Sequence, residues 1–326
     1  MTAVGRPNVC HALTDDATRT TLDGAARITA EPGAAMGDQE TNENTPTLMA
    51  ESLAEGVGTF ILMLFGNGAV AVSVLTGAYD LWAVSLMWLV GVALGVYASG
   101  AVSGGHINPA VTLSLAAFAG FPWRKVPAYI IAQIAGAFLA TVAIFVAWSG
   151  IISAFESAEG LTRGTAGSQL SGMIFTTYAP NPAIIGTDQA AMGQVSMVQW
   201  FGSEVIITAM LLFGILFLIE EINEGRPLAN MGPVLIGLLV AGLVAYEAPV
   251  SMAALNPARD LGPRIFMLFA GWGDIAFPGP RGGWWIPTVS TIVGGLIGGA
   301  FYHYAFRWVF PKPAPIGREP AEARGE

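Results

Sequence analysis

Two stretches of this chain, 107–118 and 256–268, are apolar but only about half as long as a membrane crossing requires, and each carries Asn-Pro-Ala at its start. A helix rises ~1.5 Å per residue, so about 20 residues cross the ~30 Å hydrocarbon core. The two stretches sit among six longer apolar segments, at 48–75, 82–99, 126–148, 197–219, 231–246 and 284–310. The fifth is short and needs interfacial residues to complete a crossing. Composition agrees with a bilayer setting. Apolar residues make up 53% of the 326, charged residues 11%, and the mean hydropathy is +0.58. A soluble domain has about 25% charged residues. From Ser52 to Pro311 there are only 8 basic and 12 acidic groups. The expected class is an all-α, polytopic membrane protein.

The net charge of −9 argues against nucleic-acid binding, which needs a basic surface. The single cysteine, Cys10, excludes an internal disulfide and a cysteine metal cluster. The first 46 residues hold no apolar core of signal-peptide length, so no cleavable signal is expected. They read as a solvated, disordered tail. The expected organisation is a tail at 1–46, a membrane domain at 47–311 and a second tail at 312–326. Within the domain, repeats at about 47–150 and 197–311 are joined by an extracellular loop at 151–196.

The repeats are visible in the spacing. Glu55 precedes Asn108 by 53 residues, and Glu204 precedes Asn256 by 52. Each half holds three spans and one half-span. Three is odd, so the second half enters from the opposite side, and the repeat is inverted. Placing both termini in the cytoplasm puts ten lysines and arginines inside and three outside, with Arg124 and Lys125 in a short inner loop.

Half-helices in lipid are tolerated only inside protein or beside a water-filled cavity. In inverted repeats the two would meet N-terminus to N-terminus near the midplane, each end carrying about half a positive elementary charge. Pro109 and Pro257 suit the first helical turn. Asn108 and Asn256 can cap the helices and leave their amide NH₂ groups facing a passing molecule. Such a midplane repels cations and hydronium and passes neutral solutes.

Ser-Gly-Gly-His-Ile-Asn-Pro-Ala-Val (103–111) and Leu-Asn-Pro-Ala-Arg-Asp-Leu-Gly-Pro-Arg (255–264) resemble the two signature loops of the major intrinsic proteins, the aquaporin family. The resemblance covers about 48–310 and is closest to the glycerol facilitators, the aquaglyceroporins. Asp260, Arg264, Ala-Gly-Trp-Gly-Asp (270–274), Pro287 and Thr-Tyr-Ala-Pro-Asn-Pro (177–182) carry it. It implies six transmembrane helices and two re-entrant half-helices whose pore motifs are Asn108, Pro109, Ala110 and Asn256, Pro257, Ala258. It also implies a homotetramer with one pore per subunit, in a plasma or inner membrane, with no cofactor.

Arg259 follows the second motif directly. An arginine at membrane depth is costly unless it faces water or a partner, and in a pore it repels cations and donates hydrogen bonds. By resemblance it is one of four filter positions. The others fall 20 residues before Asn108, at Trp88, and 12 and 3 before Asn256, at Val244 and Ala253. An indole wall opposite a guanidinium suits a polyol. Glycerol facilitators usually carry Gly at the Val244 position and an aromatic ring at the Ala253 position. The Trp, Val, Ala, Arg set resembles instead the filter of nodulin-type plant intrinsic proteins. This implies a wider pore that passes glycerol and also urea, water or uncharged metalloid hydroxides.

Glu55 and Glu204 are expected to accept backbone N–H bonds from the half-span loops, with a proton relay as the alternative role. His106 either lines the pore or is held within its loop. Asp260 and Arg264, at i and i+4, can pair and orient Arg259. Gly95, Gly136, Gly214, Gly237 and Gly295 are expected to allow close helix approach. The alternative functions are a water-selective channel and a coupled secondary transporter. The transporter would need an ion site, for which Glu55 and Glu204 are the carboxylates read within the spans. No HExxH motif, GxSxG motif or paired intramembrane aspartates point to an enzyme.

Overall fold

The computed structural model describes residues 45–310. Cys10 and both expected tails lie outside the described residues, apart from the segment next to the first helix. Eight principal helices follow: α1 (Leu48–Thr76), α2 (Leu81–Ser103), α3 (Pro109–Phe118), α4 (Val126–Ala158), α5 (Met197–Ile219), α6 (Gly232–Ser251), α7 (Pro257–Phe269) and α8 (Ile286–Phe301). Among the described residues no strand occurs. Five helices are long and apolar enough to cross a membrane, and a sixth crossing follows when the bent segment 273–309 counts as one span. The fold is therefore all-α with the spans and half-spans of an inverted repeat.

Local chemistry sets the helix ends. Thr47 and Asp80 cap α1 and α2 by accepting the N–H groups of Ala50 and Ala83 at 3.2 and 2.9 Å. Ser196 and Gln199 form a reciprocal capping box on α5. Gly77 and Gly104, at φ +66° and +92°, close α1 and α2 in the left-handed conformation that a Cβ disfavours.

Two sequence boundaries are corrected. The third span was expected to stop at 148, but α4 runs to Ala158, so the connection to α5 begins at 159 rather than 151. Residues 149–158 mix polar with apolar side chains, and Glu156 is buried against Arg163 at 3.0 Å. A paired carboxylate does not end a helix, although a hydropathy window stops there. The fifth span reaches Ser251 rather than 246. Glu247 interrupts the apolar run, but its carboxylate is buried within the protein.

Packing follows the repeat. α1 lies against α2 and α4, and α5 lies against α6 and α8. α2 and α6 pack together across the pseudo-two-fold. Each half-helix packs on the last span of the opposite repeat, α3 on α8 and α7 on α4. Large apolar side chains turn outward, among them Val198 at 81% and Phe269 at 79% exposed, as expected where lipid is the solvent. Glu55, Glu204, Asp260 and Gln133 are instead fully buried.

Small residues permit these contacts. A Cβ on Gly95 would come 2.7 Å from the Gly58 carbonyl oxygen, and one on Gly237 would come 2.7 Å from that of Leu89. Gly295 approaches the Ala110 carbonyl, whereas Gly214 meets only the flexible side chain of Leu239. On Gly136 a Cβ would collide with the Gly56 carbonyl, a backbone atom that cannot swing away. Gly136→Ala is therefore expected to cost about 1–3 kcal/mol by overpacking and to lower the thermal unfolding midpoint in detergent. Gly150→Ala, on the same helix with nothing within 4 Å of the new Cβ, should leave it unchanged or slightly raised.

Candidate functional site

α3 and α7 meet tip to tip. Asn108 caps α3 by accepting the Ala110 N–H at 2.9 Å, and Asn256 caps α7 by accepting those of Ala258 and Arg259 at 2.9 and 3.3 Å. Pro109 and Pro257 open the two helices, where their missing N–H groups leave no bond unmade. The Asn108 amide donates to the Leu255 carbonyl at 2.9 Å, and the Asn256 amide donates to the Ile107 carbonyl at 2.8 Å. The two caps therefore brace each other's loops. Each NH₂ group has two hydrogens, so one remains after the brace. The expectation that the whole amide group would be left for a passing molecule is narrowed to a single donor apiece.

The loops that lead into the half-helices adopt unusual backbone. Ile107, Met252, Ala253 and Leu255 have φ between +43° and +66°. Such residues cost about 1–3 kcal/mol each and persist only where their surroundings fix them. Buried carboxylates do the fixing. Glu55 accepts the N–H groups of His106 and Ile107 at 2.9 and 2.6 Å, the Ser103 hydroxyl at 2.6 Å and the Gln133 amide at 2.7 Å. Glu204 accepts the N–H groups of Ala254 and Leu255 at 2.8 and 3.2 Å and contacts the Ser251 hydroxyl at 2.5 Å. With their N–H groups held from behind, the loop residues form part of the wall of a cavity of about 530 Å³.

Trp88, Val244, Ala253 and Arg259 all line that cavity, together with Asn108, Asn256 and His106. The Arg259 guanidinium carbon lies 4.9 Å from the centroid of the Trp88 ring, within range of a cation–π attraction. Its Nη1 donates to the Phe175 carbonyl at 3.1 Å, and its Nε is buried with no protein acceptor. Trp88 packs on Gly66, where any Cβ would strike the indole. The site thus presents an apolar wall facing a fixed set of donors, in a space suited to small molecules.

Asp260 and Arg264 form an ion pair of 2.5 Å, almost completely buried. Asp260 also accepts the hydroxyls of Thr176 and Thr177 at 2.7 and 2.5 Å, and Arg264 donates to the carbonyls of Thr177 and Ala276 at 2.6 and 3.1 Å. The pair was expected to orient Arg259. It makes no hydrogen bond to it, and holds the segment whose Phe175 carbonyl does. The His106 ring is buried, 3.1 Å from the Thr112 hydroxyl and packed edge-on to Phe121. Among the described residues no cluster of His, Cys, Asp or Glu is arranged to hold a metal.

Several contributors, Gln133 and Ser251 among them, carry weak sequence signals or none. Asn67, whose amide donates to the Phe175 carbonyl at 2.7 Å, was detectable as a polar residue inside an apolar span. Glu247 lies one residue past the end of the apolar run at 231–246. Gly66 gave no signal among 41 glycines, and the Phe175 carbonyl is a backbone group with no sequence signature.

The model of the major intrinsic protein family matches residues 42–302. The glycerol uptake facilitator protein of Pseudomonas aeruginosa is 40% identical over 285 residues, covering 86% of this chain and 96% of that protein. Its counterpart in Escherichia coli is 38% identical over 261 residues, covering 79% and 88%. The propanediol uptake facilitator of Citrobacter freundii is 37% identical over 261 residues, covering 79% and 92%. The X-ray structure of the aquaglyceroporin from Plasmodium falciparum aligns with a TM-score of 0.69 at 29% identity, over 81% of this chain and 98% of that one. With both half-helices inside the matched region, the chain belongs to the major intrinsic protein family and is an integral, multi-pass membrane protein.

Proposed function

We propose that this protein is a passive channel for glycerol and other small neutral solutes, with Trp88, Val244, Ala253 and Arg259 as its filter and the two Asn-Pro-Ala caps as its midpoint. The observation that carries the reading is the Trp88 indole facing the Arg259 guanidinium at 4.9 Å in the cavity bounded by Asn108 and Asn256. A polyol carries carbon on one edge and hydroxyls on the other. The indole takes the first, and the arginine and asparagine donors take the second. A cation meets the guanidinium and two helix N-termini instead, and it loses its hydration without gaining an acceptor. The similarity to glycerol and propanediol facilitators supports this solute class.

The finer assignments belong to the same proposal. Ala253 in place of an aromatic ring gives the wide, nodulin-type filter, open to urea and uncharged metalloid hydroxides as well as water. The subunit works as a homotetramer in a plasma or inner membrane, with both termini in the cytoplasm. Residues 47–311 form the channel, flanked by polar tails. Glu55, Glu204 and Asp260 support the loops, and His106 lines the approach.

Stopped-flow swelling of proteoliposomes tests the reading. Glycerol flux well above that of empty vesicles is expected, with urea and arsenous acid also accelerated. Ala253→Phe narrows the filter, so it should keep most glycerol flux and cut the flux of a longer polyol such as ribitol about tenfold or more, the scale on which a misfitting methylene discriminates. Water flux without glycerol flux would instead establish a water-selective pore. Dependence on a proton or sodium gradient would establish a coupled transporter.

A further inference from the structure

The two repeats differ at a buried position behind the filter. The offset of 148 that sets Asn256 on Asn108 and Ser251 on Ser103 sets Glu247 on Ser99. Ser99 turns its hydroxyl to the Gly95 carbonyl of its own helix at 2.7 Å. Glu247 instead adds a second carboxyl group to the second repeat, 1% exposed and directly behind the filter. Its Oε2 accepts the N–H of Ala253 at 2.8 Å, and its Oε1 accepts the Ser203 hydroxyl at 2.8 Å.

The hydrogens around Ser251 do not balance if both carboxyl groups are ionised. The Ser251 Oγ lies 2.5 Å from Glu204 Oε1 and 2.5 Å from Glu247 Oε1. A hydroxyl has one hydrogen to donate, and an ionised carboxylate only accepts. One of the two short contacts would then set lone pair against lone pair. The first repeat avoids this difficulty. There the neighbour of Glu55 is the Gln133 amide, which brings its own hydrogens.

We propose that Glu204, Ser251 and Glu247 share one added proton, and that this proton makes Glu247 a positioning residue for the filter. The ionisable groups around the trio agree with a single negative charge. α5 contributes only Glu204, and α6 contributes Glu247 and the outward-facing Tyr246. α8 has no ionisable residue, and on α2 the lone one, Tyr97, donates to the Asn230 carbonyl at the far end of the cavity. From α7 come Arg259 and the Asp260–Arg264 pair, which is neutral in itself. One negative charge on the trio balances Arg259.

The consequence falls on Ala253. Glu247 and Glu204 between them hold the N–H groups of Ala253, Ala254 and Leu255, and Met252, Ala253 and Leu255 are in left-handed conformations that need such anchors. Loss of the shared proton places two negative charges across one hydroxyl. Their repulsion separates the carboxylates and releases the Ala253 N–H, and the filter segment relaxes toward extended backbone. Solute flux then falls reversibly at alkaline pH. This inference rests on the channel reading, but its first readout does not.

The experiment pairs infrared spectroscopy with flux on the full-length protein in liposomes. At neutral pH the wild type should show the C=O stretch of a buried, protonated carboxyl group. That band should disappear on alkaline titration over the range in which glycerol flux falls several-fold. Glu247→Gln should lack the band and should lose the pH dependence of flux, because its amide supplies the missing hydrogens permanently. A wild type with no such band at neutral pH, a flat flux profile, or a Glu247→Gln variant that keeps the wild-type profile would overturn the proposal. A missing wild-type band or a flat wild-type profile overturns the proposal even if the variant fails to insert. Glycerol flux at neutral pH tests the channel reading separately, and the band reports on the proton whether or not that flux is present.

Discussion

Replacing Arg259 by valine is expected to make the pore leak cations while glycerol still passes. The guanidinium is 2% exposed and fixed by the Phe175 carbonyl and the Trp88 ring, so its charge is neither moved aside nor neutralised by a hydrogen-bonded carboxylate. At about 5 Å and an effective dielectric of about 20, one charge repels a passing monovalent cation by about 3 kcal/mol. Removing it corresponds to on the order of a hundredfold faster cation passage. The change is amplified because the Glu204–Glu247 group, left without its counter-charge, attracts cations to the same place. Glycerol loses one set of donors but keeps the Trp88 wall and the Asn108 and Asn256 amides. Conductance of planar bilayers, with glycerol flux measured on the same preparation, checks the expectation. Currents no larger than in the wild type would mean that the two helix N-termini alone exclude ions.

The second large effect is structural. Asp260→Ala is expected to destabilise the protein by about 3–5 kcal/mol, the cost of stranding one partner of a buried ion pair. Arg264 would stay almost fully buried with its carboxylate gone, and Thr176 and Thr177 would lose the acceptor that fixes their segment. The Phe175 carbonyl, one residue before Thr176, would then no longer hold Arg259. Thermal unfolding in detergent, followed by size-exclusion chromatography, should show a markedly lower midpoint. Asp260→Leu combined with Arg264→Met removes both charges and should recover much of that loss, since an apolar pair strands nothing. A midpoint for Asp260→Ala equal to the wild type would show that the pair adds no stability.

Much of this architecture is legible in the sequence, for reasons specific to a bilayer. Backbone groups in lipid must bond within their own segment, so apolar run length maps onto spans with little ambiguity. The half-length runs at 107–118 and 256–268 had no place on a lipid-facing surface, and the inversion followed from an odd number of spans per repeat. Boundaries failed where a buried partner allowed a charge inside a helix. Glu156, paired with Arg163, carried α4 past its expected end, and Glu247 carried α6 past its own.

The sequence by itself determined the eight helices, the inverted repeat, the capping of both half-helices and the buried charges Glu55, Glu204, Arg259, Asp260 and Arg264, though not Glu156 or Glu247. Each of these depends on near neighbours in the chain or on the cost of exposing polar groups to lipid. Tertiary structure alone decided that α3 rests on α8 and α7 on α4, and that the Asn108 and Asn256 amides bond across to each other's loops. It also decided that Arg259 hangs from the Phe175 carbonyl and that Ser251 joins two carboxyl groups behind Ala253. Apart from the Ser251–Glu247 contact within α6, those contacts join residues tens to well over a hundred positions apart, and several end on backbone carbonyls. A carbonyl is common to every residue type, so its part in the site appears only when the folded chain brings a donor within 3 Å or so.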